Sequence, residues 1–446
     1  MSAKPWQGRR LHLVGVGGAG MSGYARAAHA LGATVTGSDR AETAYLQRLR
    51  DEEALAAVTV GHDAANVPAG TGVELVYSSA IAPENSERLA ARERGLPEHS
   101  RAWLLAELTG LRRTIAVAGA HGKTTTSSMI VHILRGEGLD PGWLIGSSIG
   151  EGLANSHWSE GEWLVVEADE SDRSMLALNV EIAVLTNVEL DHHASFSSLA
   201  ELRAAFAQFL LRASGPLVVW DRPELVALAA PKAGLHRYDA PAPVMGPGGS
   251  EFAWRGRQVA LAVPGAHNAL NATAALEAAV LAGADEQRAP AWLAGFAGAG
   301  RRFQRVGTTR AGAVVIDDYA HHPTEVAATL QAARTLAPKR LVAVFQPHLY
   351  SRTAMLSREF GQALAHADAI AVLDVYAARE RPEDHPGVSG LTIARAAAEH
   401  AHGRAVLWLP DFALAHKTLS GVLREGDLCV VMGAGDSDVL ARELVA

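Results

Sequence analysis

The sequence predicts an α/β protein of three domains: a Rossmann-like unit at the N-terminus, a central P-loop-type α/β unit carrying a small antiparallel β insert, and a second Rossmann-like unit at the C-terminus. Three observations carry this. Short apolar runs alternate with amphipathic stretches along the chain, the pattern of parallel strands separated by helices. Two glycine-rich turns each stand between a strand-like run and a helix-like one. A length of 446 residues, at about 150 per domain, suits three.

Taken in order, Leu11–Val16 reads as a strand, followed by a glycine turn and a helix from about Ala19 to Leu31. Ala33–Gly37 is the next strand, ending at Ser38-Asp39, and Val73–Val76 another, ending at Ser78-Ser79. After Arg112-Arg113 a new unit begins, with strand Thr114–Ala118, loop Gly119–Gly122 and a helix from Lys123 to about Arg135. Two buried strands follow, Trp163–Val166 and Ile182–Leu185, each ending in a polar cluster. Pro241–Val263 has the short alternating runs of an antiparallel insert. Asn268–Ala282 is an alanine-rich helix, and glycine-laced Gly295–Gly300 reads as a linker. Strands at Val314–Ile316, Leu341–Phe345, Ala369–Leu373, Ala405–Leu409 and Leu428–Met432 then alternate with helices. These shifts place the domains at residues 1–106, 107–299 and 300–446.

Composition narrows the function classes. Forty Lys and Arg against 48 Asp and Glu leave a net charge of −8, a poor match to nonspecific nucleic-acid binding. The 48% hydrophobic content suits buried cores rather than disorder. One cysteine, Cys429, inside an apolar strand, reads as a core residue and leaves no internal disulfide. No run of about 18 apolar residues occurs, so the expectation is a cytoplasmic protein without membrane insertion. Oligomeric state stays open between monomer and dimer.

The first glycine turn, Gly15-Val16-Gly17-Gly18-Ala19-Gly20, is a G-x-G-x-x-G before a helix. Its glycines allow a diphosphate to approach the helix N-terminus, and Asp39 lies where a ribose-binding acid falls in dinucleotide enzymes. On these residues alone NAD, FAD, another nucleotide diphosphate or a plain packing turn all remain open. An NAD(P)-dependent oxidoreductase is therefore one reading.

The second turn, Gly119-Ala120-His121-Gly122-Lys123-Thr124-Thr125, has the mechanics of a P-loop. Its N–H groups can cradle phosphates, Lys123 can reach the terminal phosphate oxygens, and Thr124 can ligate Mg²⁺. The full spacing is missing, because Val117 stands where the first glycine would be. The chain has five lysines, and Lys123 is the only one between Lys4 and Lys232. A triphosphate cradle has no use in hydride transfer, which argues against the oxidoreductase. Glu167 and His192 fall just beyond the carboxyl ends of later strands, where ligands of open α/β sheets sit, and could complete a Mg²⁺ shell.

The motifs GVGGAGMSG, GAHGKTTT, VEADESD, TNVELDH, PGAHNALNA, GAGRRF, DDYAHHPTEV and FQPHLYSRT, in this order from about Leu11 to Gly435, resemble the Mur ligases of bacterial cell-wall synthesis. The likeness is greatest to the branch that adds L-alanine. It implies a three-domain, ATP-dependent amide-bond ligase that joins L-alanine to the lactyl carboxylate of UDP-N-acetylmuramate through an acyl phosphate. A ligase that attaches a whole tripeptide to the same sugar nucleotide is the alternative, disfavoured by GAGRRF.

By this resemblance Gly15, Gly17, Gly18, Ala19, Gly20, Asp39, His62, Ser78 and Ser79 would serve the UDP-sugar. Gly119, Ala120, His121, Gly122, Lys123, Thr124, Thr125, Asn268, Asn271 and Arg302 would serve ATP, with Asp317 or Asp318 near the ribose. Thr124 and Glu167 would hold one Mg²⁺ and His192 a second, Mn²⁺ being an alternative ion. Tyr319, His321 and Arg352 would line the alanine side, Arg352 as a fork for its carboxylate. Lys123, Arg302, His321 and Arg352 would carry the chemistry.

Two departures from the family pattern stand out. Ala194 replaces an Asp that many members carry two positions after the metal histidine, and Leu349 replaces an Arg that some carry after FQPH. With no lysine between Thr124 and Pro231, the carbamylated lysine of several relatives is excluded. Gly433-Ala434-Gly435-Asp436 and His322 read as structural.

Overall fold

The computed structural model describes residues 4–150, 152–190, 195–229, 232–239, 242–246 and 248–446. The chain divides into two compact units, Met1–Asp239 with Asn271–Trp292, and Ala240–Leu270 with Leu293–Ala446.

The first unit holds two sheets. Strands β1 (Arg10–Val14), β2 (Thr34–Asp39), β3 (Ala57–Val60), β4 (Val73–Tyr77) and β5 (Glu98–Ser100) are all parallel, in the order β3-β2-β1-β4-β5. Helices α1 (Ala19–Ala30), α2 (Ala44–Asp51), α3 (Ser86–Glu93) and α4 (Arg101–Gly110) connect or follow them. Central β1 buries Leu11, Leu13 and Val14 completely, as expected for a strand covered on both faces. Its one buried polar side chain, His12, is 1% exposed and is satisfied at both ring nitrogens, 2.8 Å from Thr36 Oγ1 and 2.8 Å from Glu87 Oε2.

The second sheet comprises β6 (Arg113–Ala118), β7 (Gly142–Leu144), β8 (Ser156–His157), β9 (Trp163–Glu167), β10 (Ile182–Leu185), β11 (Leu217–Trp220) and β12 (Leu235–Tyr238), in the order β12-β11-β10-β6-β9-β7-β8. Only the β7–β8 pair is antiparallel. The middle strands read TIAVA, LVV and IAVL, continuous apolar runs with nearly no exposure. Helix α5 (Lys123–Gly136) follows β6 directly, and α6 (Leu199–Arg212) and α7 (Pro223–Ala229) flank β11 in sequence. One hydrophobic core runs from Trp6 through Leu13, Leu104 and Val166 to Phe206 and Leu225, so the two sheets of this unit share a packed interior. Each fully buried Leu or Phe there contributes roughly 1.5–3 kcal/mol.

The second unit carries the antiparallel insert expected over Pro241–Val263: β13 (Val244–Gly246), β14 (Gly249–Trp254) and β15 (Arg257–Leu261). Next in sequence are α8 (Ala266–Leu281), which passes from this unit into the first at Asn271, and α9 (Ala289–Leu293), which belongs to the first up to Trp292. The fourth sheet has β16 (Gln304–Thr308), β17 (Val314–Asp318), β18 (Arg340–Phe345), β19 (Ala369–Val372), β20 (Ala405–Trp408) and β21 (Asp427–Met432), in the order β16-β17-β21-β18-β19-β20. Edge strand β16 is antiparallel and the rest are parallel. Because β21 returns between β17 and β18, their carboxyl ends converge, the place where open α/β sheets bind ligands. Helices α10 (Pro323–Thr335), α11 (Tyr350–Met355), α12 (Ser357–Leu364), α13 (Gly390–His400), α14 (Phe412–Val422) and α15 (Ser437–Glu443) complete the unit. Leu330, Phe345, Phe360 and Ile393 belong to one core and Val315, Val344, Leu419 and Leu440 to another, a double-sided sheet.

The α/β class and its parallel-dominated sheets are thus those expected. The stretch Gly295–Gly300 differs from a loose linker: Phe296 and Ala299 are buried, and Ala299 bridges Arg302. Among the described residues no helix is long and apolar enough to cross a membrane. Cys429 lies buried in β21, and burial pushes its thiol up to about 12, so it is a core residue and not a nucleophile.

Candidate functional site

The first glycine loop joins β1 to α1. Gly15 has φ +84°, and the N–H groups of Gly15 and Val16 both donate to Ser38 O. Gly17 N donates to Asp39 Oδ2 at 2.8 Å, and Thr43 Oγ1 donates to Gly17 O at 2.9 Å. Helix α1 starts at Gly18 with no side-chain cap, leaving its free N–H groups for an anion. Ser78 packs against the loop, 3.0 Å from where a Cβ on Gly15 would stand, and neighbouring Ser79 is exposed. Asp39, expected on the nucleotide side, accepts through Oδ2 from the loop's own Gly17 N–H, which braces the loop.

His62 lies beyond β3, its Nδ1 3.1 Å from Glu87 Oε1 and 3.1 Å from Ser38 Oγ. Glu87, wholly buried on α3, also accepts from Ser38 Oγ at 2.8 Å and Asn66 Nδ2 at 3.0 Å. Burial alone would raise its pKa, but these donors and His12 outweigh that and hold it at about 2. Glu87 escaped the sequence reading because an acid on an amphipathic helix ordinarily faces water.

The second loop joins β6 to α5. Gly119 has φ +140°, and any Cβ there would collide with Thr186 Oγ1. Gly122 has φ +82° and caps α5 without a side chain; a Cβ on it would stand 2.5 Å from Asn271 Oδ1. Both glycines are therefore required by space as well as by backbone. His121 is pinned from three sides: its N–H donates to Asn187 Oδ1 at 2.9 Å, Thr186 Oγ1 donates to its carbonyl at 2.6 Å, and its Nε2 is 3.0 Å from Glu189. Thr124 and Thr125 in the first turn of α5 are buried.

Lys123 Nζ donates to Gly119 O at 2.6 Å and to Glu170 at 2.9 and 3.1 Å. Burial opposes the ammonium, yet the nearby Glu170 and Asp169 outweigh it and the pKa is raised, so Lys123 stays charged. Glu170, 1% exposed, was missed; the acid cluster EADESD was its signal, but spacing could not tell which carboxylate turns to the lysine. Glu167 ends β9 beside β6 and accepts from Gly146 N at 2.9 Å. His192 lies outside the described residues, as does Ala194.

In the second unit, Asn268 is buried in the first turn of α8, donating to Pro264 O at 2.7 Å. The ends of β17 and β18 bring together most of the residues expected on the amino-acid side. The Tyr319 and His321 rings lie 5.3 Å apart, and His321 lies 5.8 Å from His348. Arg352, 3% exposed on α11, has Nη1 3.1 Å from His348 Nδ1, and Arg302 stacks 5.1 Å from the Tyr319 ring and 3.6 Å from Glu325.

The two acids after β17 behave differently. Asp318 is consumed, accepting from Phe303 N at 2.7 Å, Ala320 N at 2.8 Å and Thr329 Oγ1 at 3.2 Å. Asp317 pairs with Arg301 through one oxygen, at 3.1 Å, while its other oxygen is buried without a hydrogen bond. Burial, only partly countered by Arg301, pushes its carboxyl up to about 6. Of the pair, Asp317 is the one with capacity for a ligand. Arg301 also donates to Gly433 O at 2.8 Å and Gly435 O at 2.9 Å, so the glycine turn after β21 is a packing turn clamped by that arginine. His348, Arg301 and Glu325 were not singled out by sequence; His348 stands in FQPH, whose histidine gave the signal.

Two glycine loops at the carboxyl ends of parallel sheets, each opening a helix without a side-chain cap and one carrying a buried charged lysine, have the form of nucleotide-binding turns in an α/β protein. Three family descriptions match successive parts of the chain: the Mur ligase family catalytic domain over residues 10–113, the Mur ligase middle domain over 117–279, and the Mur ligase glutamate ligase domain over 301–435. The chain belongs to the Mur ligase family. It is 43% identical to the UDP-N-acetylmuramate–L-alanine ligase of Mycobacterium sp. (strain JLS), covering 98% of this chain and 95% of that one. It is 45% identical to the enzyme of that name from Acidothermus cellulolyticus, covering 98% and 94%. Its structure is similar to the crystal structure of UDP-N-acetylmuramate–alanine ligase from Thermotoga maritima, with a TM-score of 0.83 and 26% identity over 98% of both chains. The relatives are ligases and give the oxidoreductase reading no support.

Proposed function

We propose that this chain is an ATP-dependent ligase that joins L-alanine to the lactyl carboxylate of UDP-N-acetylmuramate, releasing ADP and phosphate, in the cytoplasm. The observation that carries it is the Lys123 loop, whose charged lysine and open helix N-terminus suit phosphates, in a chain more than 40% identical to ligases of that name. Residues 1–106 would hold the UDP-sugar, 107–299 ATP, and 300–446 the amino acid.

A carboxylate is a poor electrophile, and its phosphorylation supplies a leaving group. Two anions must meet for that, so positive charge has to be in place beforehand. Lys123, kept charged and held by Glu170 and the loop carbonyls, would exchange those partners for phosphate oxygens. The N–H groups at the start of α5, unblocked by any side chain, would take others. Arg302 would face the γ-phosphate, Asn271 and Asn268 the adenine, and Asp317 the ribose. Arg352 would grip the alanine carboxylate while His321 and Tyr319 orient its amine for attack on the acyl phosphate.

The chemistry of the donor set suits a hard divalent cation: the Thr124 hydroxyl and Glu167 carboxylate for one Mg²⁺, with His192 for a second and Mn²⁺ as a substitute. When bound, such an ion offsets phosphate charge. The test is phosphate release from ATP and UDP-N-acetylmuramate with either L-alanine or L-Ala–γ-D-Glu–diaminopimelate. Release with L-alanine is expected; release with the tripeptide alone would transfer the chain to tripeptide ligation, and release with neither would reject both.

A further inference from the structure

Within the first unit, one side chain lies between the start of α1, just after the first glycine loop, and the acid cluster after β9 that holds Lys123. Arg101 opens α4, and its side chain is 16% exposed. Its Nε donates to Asp172 at 2.5 Å and its Nη2 to Asp169 at 2.7 Å. Its Nη1 lies 3.3 Å from where a Cβ on Gly20 would stand, in the first turn of α1 directly after the first loop. Asp169 directly precedes Glu170, the carboxylate that holds Lys123. The path from the sugar-nucleotide loop to the phosphate lysine is thus one guanidinium and two adjacent acids.

We propose that Arg101 is a positioning residue that keeps the UDP-sugar loop and the Lys123 loop in register for phosphoryl transfer, an inference that rests on the ligase reading. The lactyl carboxylate would hang from a nucleotide seated on one loop and the γ-phosphate from a nucleotide seated on the other. Any error between the loops becomes an error between reacting atoms, which must approach to about 3–3.5 Å. A planar guanidinium shared by two carboxylates fixes direction as well as distance, which a lysine ammonium cannot. Both partners are themselves braced: Asp169 Oδ1 accepts from Ser171 N at 2.9 Å, and Asp172 Oδ1 from Ser174 N at 3.0 Å. A separate contact, Asn155 Nδ2 donating to Ala19 O at 2.6 Å, ties the two sheets together without Arg101, so its removal should alter register without separating them.

The experiment compares Arg101→Ala and Arg101→Lys with the parent protein in kcat, in separate Kd values for ATP and UDP-N-acetylmuramate, and in Tm. Both affinities should stay within about threefold while kcat falls about 10²-fold. Lysine should restore little, and added guanidinium should recover part of the Arg101→Ala rate. A kcat within threefold of the parent would overturn the inference, as would a loss matched by lost affinity and unmoved by guanidinium. Should Arg101→Ala not fold, Asp172→Asn removes one arm of the fork and should lower kcat with both affinities kept; an unchanged kcat there overturns it equally. A parent that binds both nucleotides but forms no amide would sink the ligase reading, and this inference with it.

Discussion

Replacing Glu87 with Gln isolates one charge at constant shape. The carboxylate has no exposure and takes donors from Ser38 at 2.8 Å, Asn66 at 3.0 Å and Asp63 N at 3.3 Å, with His12 at 2.8 Å and His62 at 3.1 Å. Its pKa falls from the ordinary 4.5 to about 2. At roughly 1.4 kcal/mol per pH unit, that is worth about 3 kcal/mol to the folded state. A depressed carboxyl contributes fully above pH 4.5 and loses its contribution as pH drops towards 2. Glutamine keeps one acceptor but turns an NH₂ towards groups that are themselves donors. Glu87→Gln should therefore be less stable than the parent by about 3 kcal/mol at pH 7, or roughly 6–12 °C in Tm, with the gap closing between pH 4.5 and 2. Urea unfolding across that range measures it. Because Glu87 holds His62, the KM for UDP-N-acetylmuramate should rise while that for ATP stays put. Equal stability at pH 7, or a gap that persists unchanged to pH 2, would refute the reasoning.

Other predictions follow from the same contacts. Lys123→Ala should cut phosphate release at least 10²-fold and lower Tm by leaving the buried Glu170 without its ammonium; adding Glu170→Gln should recover Tm but not turnover. Gly122→Ala, placing a methyl 2.5 Å from Asn271 Oδ1 at φ +82°, should raise the KM for ATP and leave that for the sugar nucleotide unmoved, as initial rates would reveal. Asp317, at about 6, binds its proton more tightly folded than unfolded, so its ionisation costs stability as pH rises from 3.8 to 6, about 3 kcal/mol in all. The stability difference between parent and Asp317→Asn should shift towards the variant by that amount over the window; a flat difference in denaturant titrations would reject it. Arg352→Lys should raise the KM for L-alanine about ten- to a hundredfold, the cost of one charge-assisted hydrogen bond, with the KM for ATP unaffected.

Much of the site could be read directly from residue type and order. Strands such as TIAVA and IAVL declare themselves because a strand buried on both faces must be apolar throughout. Gly119 and Gly122 declare themselves because a positive φ and the space beside Thr186 and Asn271 admit few substitutes, and Lys123 because lysine is scarce in this chain. Short edge strands such as Ala57–Val60 and Gln304–Thr308 were not legible, since exposed, polar or glycine-containing residues there give no clear alternation.

Sequence by itself determined the parallel α/β class, the two phosphate-type loops and the Mur ligase likeness, all of which depend on local spacing. Tertiary structure decided what each charged group does. Asp39 closes its own loop, Asp318 is spent on backbone while Asp317 keeps an oxygen free, Glu170 takes Lys123, and Glu87 takes His62. The physical reason is that a carboxylate's role is set by which donors lie within about 3 Å of it and by how much water is excluded, and both depend on residues brought from elsewhere in the chain.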